Sequence, residues 1–219
     1  MPRKICVVTS SRADYGLLSG LITLLEADEK VDLYLVVSGA HLAGEFGNTH
    51  LEVENDGFRI HEKVEMLRTA DTPLGISDSI GQGVANFGRA FNRFSPELLV
   101  LLGDRVEILA AAIAAMTHHI PIAHIHGGES SEGAIDEAIR HSVTKMSHLH
   151  LVSAEPYRNR VIQLGEDPAM VFNVGALGID NILKQELPSR ARISREINFD
   201  LGSGSLLLVT YHPMTLGVG

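Results

Sequence analysis

Polar side chains gather just after the apolar runs of this sequence, and three of these places carry groups suited to acid–base chemistry. The densest is His124-Ile125-His126-Gly127-Gly128-Glu129, followed by Glu132 and by Ile135-Asp136-Glu137-Ala138-Ile139-Arg140-His141. The second is Gly103-Asp104-Arg105, and the third is Thr9-Ser10-Ser11-Arg12-Ala13-Asp14-Tyr15-Gly16. Asp104, Glu129 and Asp136 are carboxylates that can converge on one crevice. Crowded carboxylates raise at least one pKa, as general acid–base work requires. The Gly-Gly step lets backbone approach a ligand closely. Plainer uses stand beside these. Asp104 can simply cap the next helix. Asp136 and Arg140 can form an i,i+4 surface pair worth roughly 0.2–0.5 kcal/mol. Arg12 is either a phosphate contact at a helix start or a solvated arginine. His124 and His126 share a strand face if alternation holds. A zinc site would need further ligands, so hydrogen-bonded structural histidines are the commoner use.

These residues need a scaffold, and the apolar pattern supplies one. Strand-length runs at Ile5–Thr9, Leu33–Val37, Leu98–Leu102, Ile120–Ile125, Leu149–Val152, Val171–Val174 and Leu206–Thr210 are continuous rather than alternating, which fits a parallel sheet covered on both faces. Residues 59–66 alternate more and read as a strand nearer an edge. Between the runs lie amphipathic stretches: Asp14–Ala27, Ser79–Phe94, Arg105–Met116, Ala134–Met146 and Pro156–Leu164. The Ile80/Val84/Phe87/Phe91 stripe suits a core face better than a contact between copies. The β-α alternation predicts an α/β, doubly wound parallel sheet, whose ligands sit beyond the carboxyl ends of the strands. That is where the polar clusters fall.

Composition narrows the function. The chain has 219 residues, 45% hydrophobic and 21% charged, with a formal charge of −9 from 18 Lys+Arg and 27 Asp+Glu. That balance and the lack of a basic cluster disfavour nucleic acid as a partner. One cysteine, Cys6, lies in an apolar run, so no internal disulfide framework forms and a buried thiol is expected. No run approaches the ~18 apolar residues of a membrane span. Met1-Pro2-Arg3-Lys4-Ile5 lacks the apolar core of a signal peptide, so the cytoplasm is the expected compartment. The dinucleotide fingerprint, the P-loop and the Gly-x-Ser-x-Gly elbow are all missing.

Taken together, Ser11-Arg12-Ala13-Asp14-Tyr15-Gly16, Gly103-Asp104-Arg105, the two clusters at 124–129 and 135–141, and Thr210-Tyr211-His212-Pro213 resemble the UDP-N-acetylglucosamine 2-epimerases. The wording of the first and third is similar to the hydrolysing branch, which feeds sialic and related nonulosonic acid synthesis. The resemblance implies the Rossmann-like N-terminal half of a glycosyltransferase-B fold. It implies a UDP-sugar substrate, no cofactor and no metal, and a homodimer or homotetramer. It implies elimination of UDP across C1–C2 to a 2-acetamidoglucal, then addition of water to give N-acetylmannosamine and UDP. It assigns catalysis to Asp104, Glu129, Asp136 and His212, and substrate binding to Arg12, Arg105, His126, Glu137, Arg140 and His141. Members of the family are much longer. The expected organisation is therefore a domain at 1–176, then 177–219 as a linker helix region and the first strand of a C-terminal domain otherwise absent, with weak or no activity alone. A non-hydrolysing epimerase, a hydrolysing enzyme of a diacetamido-trideoxy sugar nucleotide, and a non-catalytic sugar-binding or assembly module are the alternatives.

Overall fold

The computed structural model describes residues 1–66, 72–184 and 186–210. Its strands are β1 (Arg3–Thr9), β2 (Val31–Ser38), β3 (Glu62–Val64), β4 (Leu98–Leu102), β5 (Ile122–Ile125), β6 (Leu149–Val152) and β7 (Val171–Asn173). All pair in parallel, in the order β3-β2-β1-β4-β5-β6-β7. The α/β doubly wound sheet expected from the sequence is thus present, with the direction of winding changing between β1 and β4. Residues 59–66 do contribute the short edge strand.

Both faces are buried, which is why the strands read as unbroken apolar runs. Cys6, Val8, Leu99, Leu101 and Ile122 point to one core, and Val7, Val100, Leu102, Ala123 and Ile125 to the other. The first face is covered by α3 (Pro73–Phe94), α4 (Val106–Thr117) and α5 (Asp136–Met146), and the second by α1 (Arg12–Ala27) and α7 (Leu177–Lys184). Phe87 and Phe91 are fully buried and Val84 packs against the same cluster, so that stripe faces the core. Gly83 lets α3 close on α4, since a Cβ there would lie 2.9 Å from Cβ of Ala110. The Cys6 thiol is buried and its pKa is driven well up by desolvation, which makes it inert.

The helix starts follow from local chemistry. Ser11 caps α1, its hydroxyl accepting from the Asp14 N–H at 3.3 Å. Thr72 caps α3 in the same way, with Pro73 at the first turn. α6 (Glu155–Gln163) carries Pro156 there too. One expectation needs correction. Residues 206–210 join no strand among the described residues, and Leu206 to Val209 are 52% to 96% exposed. A lone strand has no partner for its backbone groups and does not register as one. α8 (Arg190–Glu196) precedes this segment.

Candidate active site

The carboxyl ends of β1, β4 and β5 carry the polar clusters, on either side of the point where winding reverses. That is where open α/β sheets bind ligands. Beside it, a cleft of about 700 Å3 lies between the N-termini of α3, α4 and α5. Pro73, Ile76, Val106, Ile135 and Ile139 form its apolar wall, and Arg105, Glu107 and Asp136 its polar groups. The volume suits a small organic ligand.

Asp104 does not cap α4. The residue at the cap is Arg105, which makes no side-chain cap bond. Gly103, at φ +79, turns the chain so that the Asp104 carboxylate meets the Arg140 guanidinium. Arg140 also donates to Ser131 Oγ at 2.8 Å. The expected Asp136–Arg140 surface pair is therefore absent: Arg140 is only 6% exposed and turns toward β4. Burial, reinforced by the nearby Arg160 charge, lowers the Arg140 pKa. Asp104 supplies the counter-charge, so each group fixes the other in place. Asp136 lines the cleft, and its carboxylate forms no hydrogen bond or ion pair among the described residues.

Glu129 faces a different neighbour. Ser153, after β6, donates to its Oε1 at 2.6 Å, and His126 Nδ1 lies 3.4 Å from the same oxygen. The three carboxylates thus share the sheet edge without pairing with one another: Asp104 and Glu129 hold different partners, and Asp136 holds none among the described residues. His126 breaks the expected alternation: β5 ends at Ile125, and His126 adopts φ +63. Gly128, at φ +79, packs directly against the α6 backbone. Glu137 accepts from Ser130 Oγ at 2.9 Å and Ser131 N–H at 2.8 Å, and these bonds lower its pKa. His141 Nε2 stands 3.7 Å from Glu137 Oε1. Arg12, at the start of α1, is exposed and pairs with Glu52 at 3.1 Å. His212 lies outside the described residues.

Two histidines at this edge are structural. His124 is fully buried, with Nε2 at 2.8 Å from the Gly103 carbonyl and Nδ1 at 3.2 Å from Thr144 Oγ1. Both ring nitrogens are engaged, so the metal-pair reading of His124 and His126 has no support. No group of three metal-ligating side chains occurs among the described residues. His41, after β2, is held by Thr9 Oγ1 at 3.0 Å and Thr49 Oγ1 at 2.8 Å. Burial pushes both imidazoles down to about 4 from 6.5. Unfolded histidines take up protons near pH 6.5, whereas these two refuse them until about 4. Their contribution to stability is complete above pH 6.5 and declines as pH falls through that window, by up to ~1.4 kcal/mol per pH unit for each. Urea midpoints at pH 7.5, 6 and 5 should fall in that order, and His124→Asn should flatten the trend.

One buried acid escaped the sequence reading. Glu107, in the first turn of α4, is 1% exposed, and desolvation raises its pKa. It is the only acid within the Ala-rich helix at 106–117, but an acid in a first turn also reads as an ordinary complement to the helix dipole.

Residues 23–217 match the model of a family described as UDP-N-acetylglucosamine 2-epimerase. The chain belongs to that family. It is similar to the Campylobacter jejuni protein named GDP/UDP-N,N'-diacetylbacillosamine 2-epimerase (hydrolyzing), with 40% identity over 216 residues, covering 99% of this chain and 56% of that one. It is 43% identical over 218 residues to the Escherichia coli polysialic acid biosynthesis protein P7, covering 98% and 54%. The chain therefore spans about half the length of the curated relatives it matches. A crystal structure of UDP-N-acetylglucosamine 2-epimerase overlays with a TM-score of 0.77 at 15% identity, over 89% of this chain and 55% of that one. A lipopolysaccharide outer core galactosyltransferase overlays at 0.53 and 12% identity, over 78% and 45%. The fold is the Rossmann-like half of a glycosyltransferase-B architecture. No described helix is long and apolar enough to cross a membrane.

Proposed function

We propose that this chain provides the N-terminal catalytic half of a hydrolysing 2-epimerase acting on a UDP-linked 2-acetamido sugar. In the first step the C2–H and C1–O bonds break, a C1–C2 double bond forms, and UDP departs, leaving a 2-acetamidoglucal. In the second, water adds its oxygen to C1 and a proton reaches C2 from the opposite face. The products are the free 2-epimer and UDP. For UDP-N-acetylglucosamine that epimer is N-acetylmannosamine, the entry to sialic acid synthesis.

The observation that carries this reading is the Asp104–Arg140 pair at the mouth of β4. Arg140 holds the Asp104 carboxylate in place, and a fixed anion stabilises the positive charge that develops at C1 as the leaving group departs. Asp136, with no partner among the described residues and lining the cleft, has the freedom to accept the C2 proton. Glu129, with Ser153 and His126, returns a proton to the opposite face. Arg12 and Arg105 meet the diphosphate, and His212 assists its departure. Glu137 braces the loop through Ser130 and Ser131, and His141 stands beside its Oε1. The second half of the longer protein supplies the remaining nucleotide contacts.

A second reading concerns the sugar. A relative 40% identical is named for a diacetylbacillosamine nucleotide, and the apolar wall of Ile76, Ile135 and Ile139 suits acetamido and deoxy carbons. The test is UDP release by the protein, taken to the length of its relatives, with UDP-N-acetylglucosamine and UDP-N,N'-diacetylbacillosamine side by side. Release from either supports the reading, the faster one names the sugar, and release from neither contradicts it.

A further inference from the structure

Glu107 is a buried carboxylate that the reaction scheme leaves unused. Neither of its oxygens has a hydrogen-bond partner among the described residues. Its side chain reaches over the end of β2, where Gly39 adopts φ +57 and where any Cβ would collide with Oε1. A protein gives up considerable stability to bury an acid this way. Such departures from self-consistent packing concentrate at functional sites. The nearest cation among the described residues is Arg105, whose Nε is 3.4 Å from Glu107 Oε2. Its side chain is 44% exposed, and both residues line the cleft that Asp136 also lines. Glu107 itself is too buried to meet a ligand, and its charge would repel a phosphate. Arg105 has neither handicap.

We propose that Glu107 is a positioning residue for Arg105. It tethers the Nε edge of the guanidinium from beneath, which turns the remaining N–H groups into the cleft as a fork for the diphosphate of the nucleotide sugar. The inference rests on the UDP-sugar reading above. Gly39 belongs to the same device, because only a residue without a side chain leaves room for the tether.

The test is a double-mutant cycle on the protein at the length of its relatives: wild type, Glu107→Gln, Arg105→Ala and the double variant. KM, kcat, UDP affinity by titration calorimetry, and Tm are read for each. Glu107→Gln should raise KM and the Kd for UDP about tenfold. kcat should fall no more than about twofold, with Tm unchanged or higher because a buried charge has gone. In the Arg105→Ala background the same substitution should move KM less than about twofold, because the pair is already broken. An equal rise in KM with and without Arg105 would overturn the inference, as would a loss of kcat together with Tm. Should the glutamine variant not fold, Glu107→Asp, which keeps the charge and shortens the reach, should give the same rise in KM. If wild type binds UDP and Glu107→Gln binds it equally well, this inference alone fails. If wild type neither binds UDP nor releases it from a UDP sugar, the nucleotide-sugar reading fails first.

Discussion

Asp104→Asn, in the protein at the length of its relatives, should cut turnover roughly 10²–10⁴-fold while leaving the fold largely intact. The amide keeps an oxygen for Arg140 but loses the negative charge that C1 requires. Asp104→Ala should do more. It leaves the Arg140 guanidinium, 7% exposed at the side chain, without its counter-ion. Breaking a buried pair by removing one partner costs about 3–5 kcal/mol. Asp104 is 19% exposed, which places the expected loss toward the lower end. Denaturant midpoints and initial rates of UDP release, measured on both variants, separate the two roles. Near wild-type turnover in the asparagine variant would remove Asp104 from the chemistry. Equal stability of the two variants would remove the ion pair from the fold.

Gly128→Ala is the second substitution of large effect. Gly128 sits at φ +79, and a Cβ there would fall 2.5 Å from the backbone oxygen of Tyr157 in α6. Its own carbonyl accepts from Arg160. A backbone atom cannot swing aside as a side chain does, so the loop must move. The strain and the clash together should cost about 2–4 kcal/mol. Because Glu129 follows directly, the displaced loop should also lose the Ser153–Glu129 contact and most turnover. Gly127→Ala meets only side chains, His124 Nδ1 and Thr144 Oγ1, each at 3.1 Å, and should be milder. A Gly128→Ala protein as stable as wild type would show that the loop is looser than this geometry implies.

The contrast between what the sequence reveals and what it hides is physical. The parallel sheet was legible because strands buried on both faces must be apolar throughout. Arg140 was not. Helix spacing offers it Asp136 one turn away, but burial of its face selects Asp104, a residue 36 positions distant whose direction is set by Gly103. Glu129 likewise meets Ser153 across two strands, a contact no local pattern encodes. His126 looked like the next member of an alternating strand until its left-handed backbone ended the run. Glu107 was hidden by having an ordinary explanation as a first-turn acid. In each case the position of the group was readable and its partner was not, because partners are chosen by burial and by turns that bring distant segments together.

An elimination and re-addition at C2 served by Asp104, Glu129 and Asp136 must exchange the hydrogen on that carbon with solvent. A proton NMR time course in D2O, with the protein at the length of its relatives and a UDP-linked 2-acetamido sugar, follows UDP, the free sugar and the C2 position together. The expected product is free 2-epimer carrying deuterium at C2, formed in step with UDP and with no epimerised nucleotide sugar released. Product that keeps its C2 proton, or a sugar released with its configuration at C2 unchanged, would contradict it.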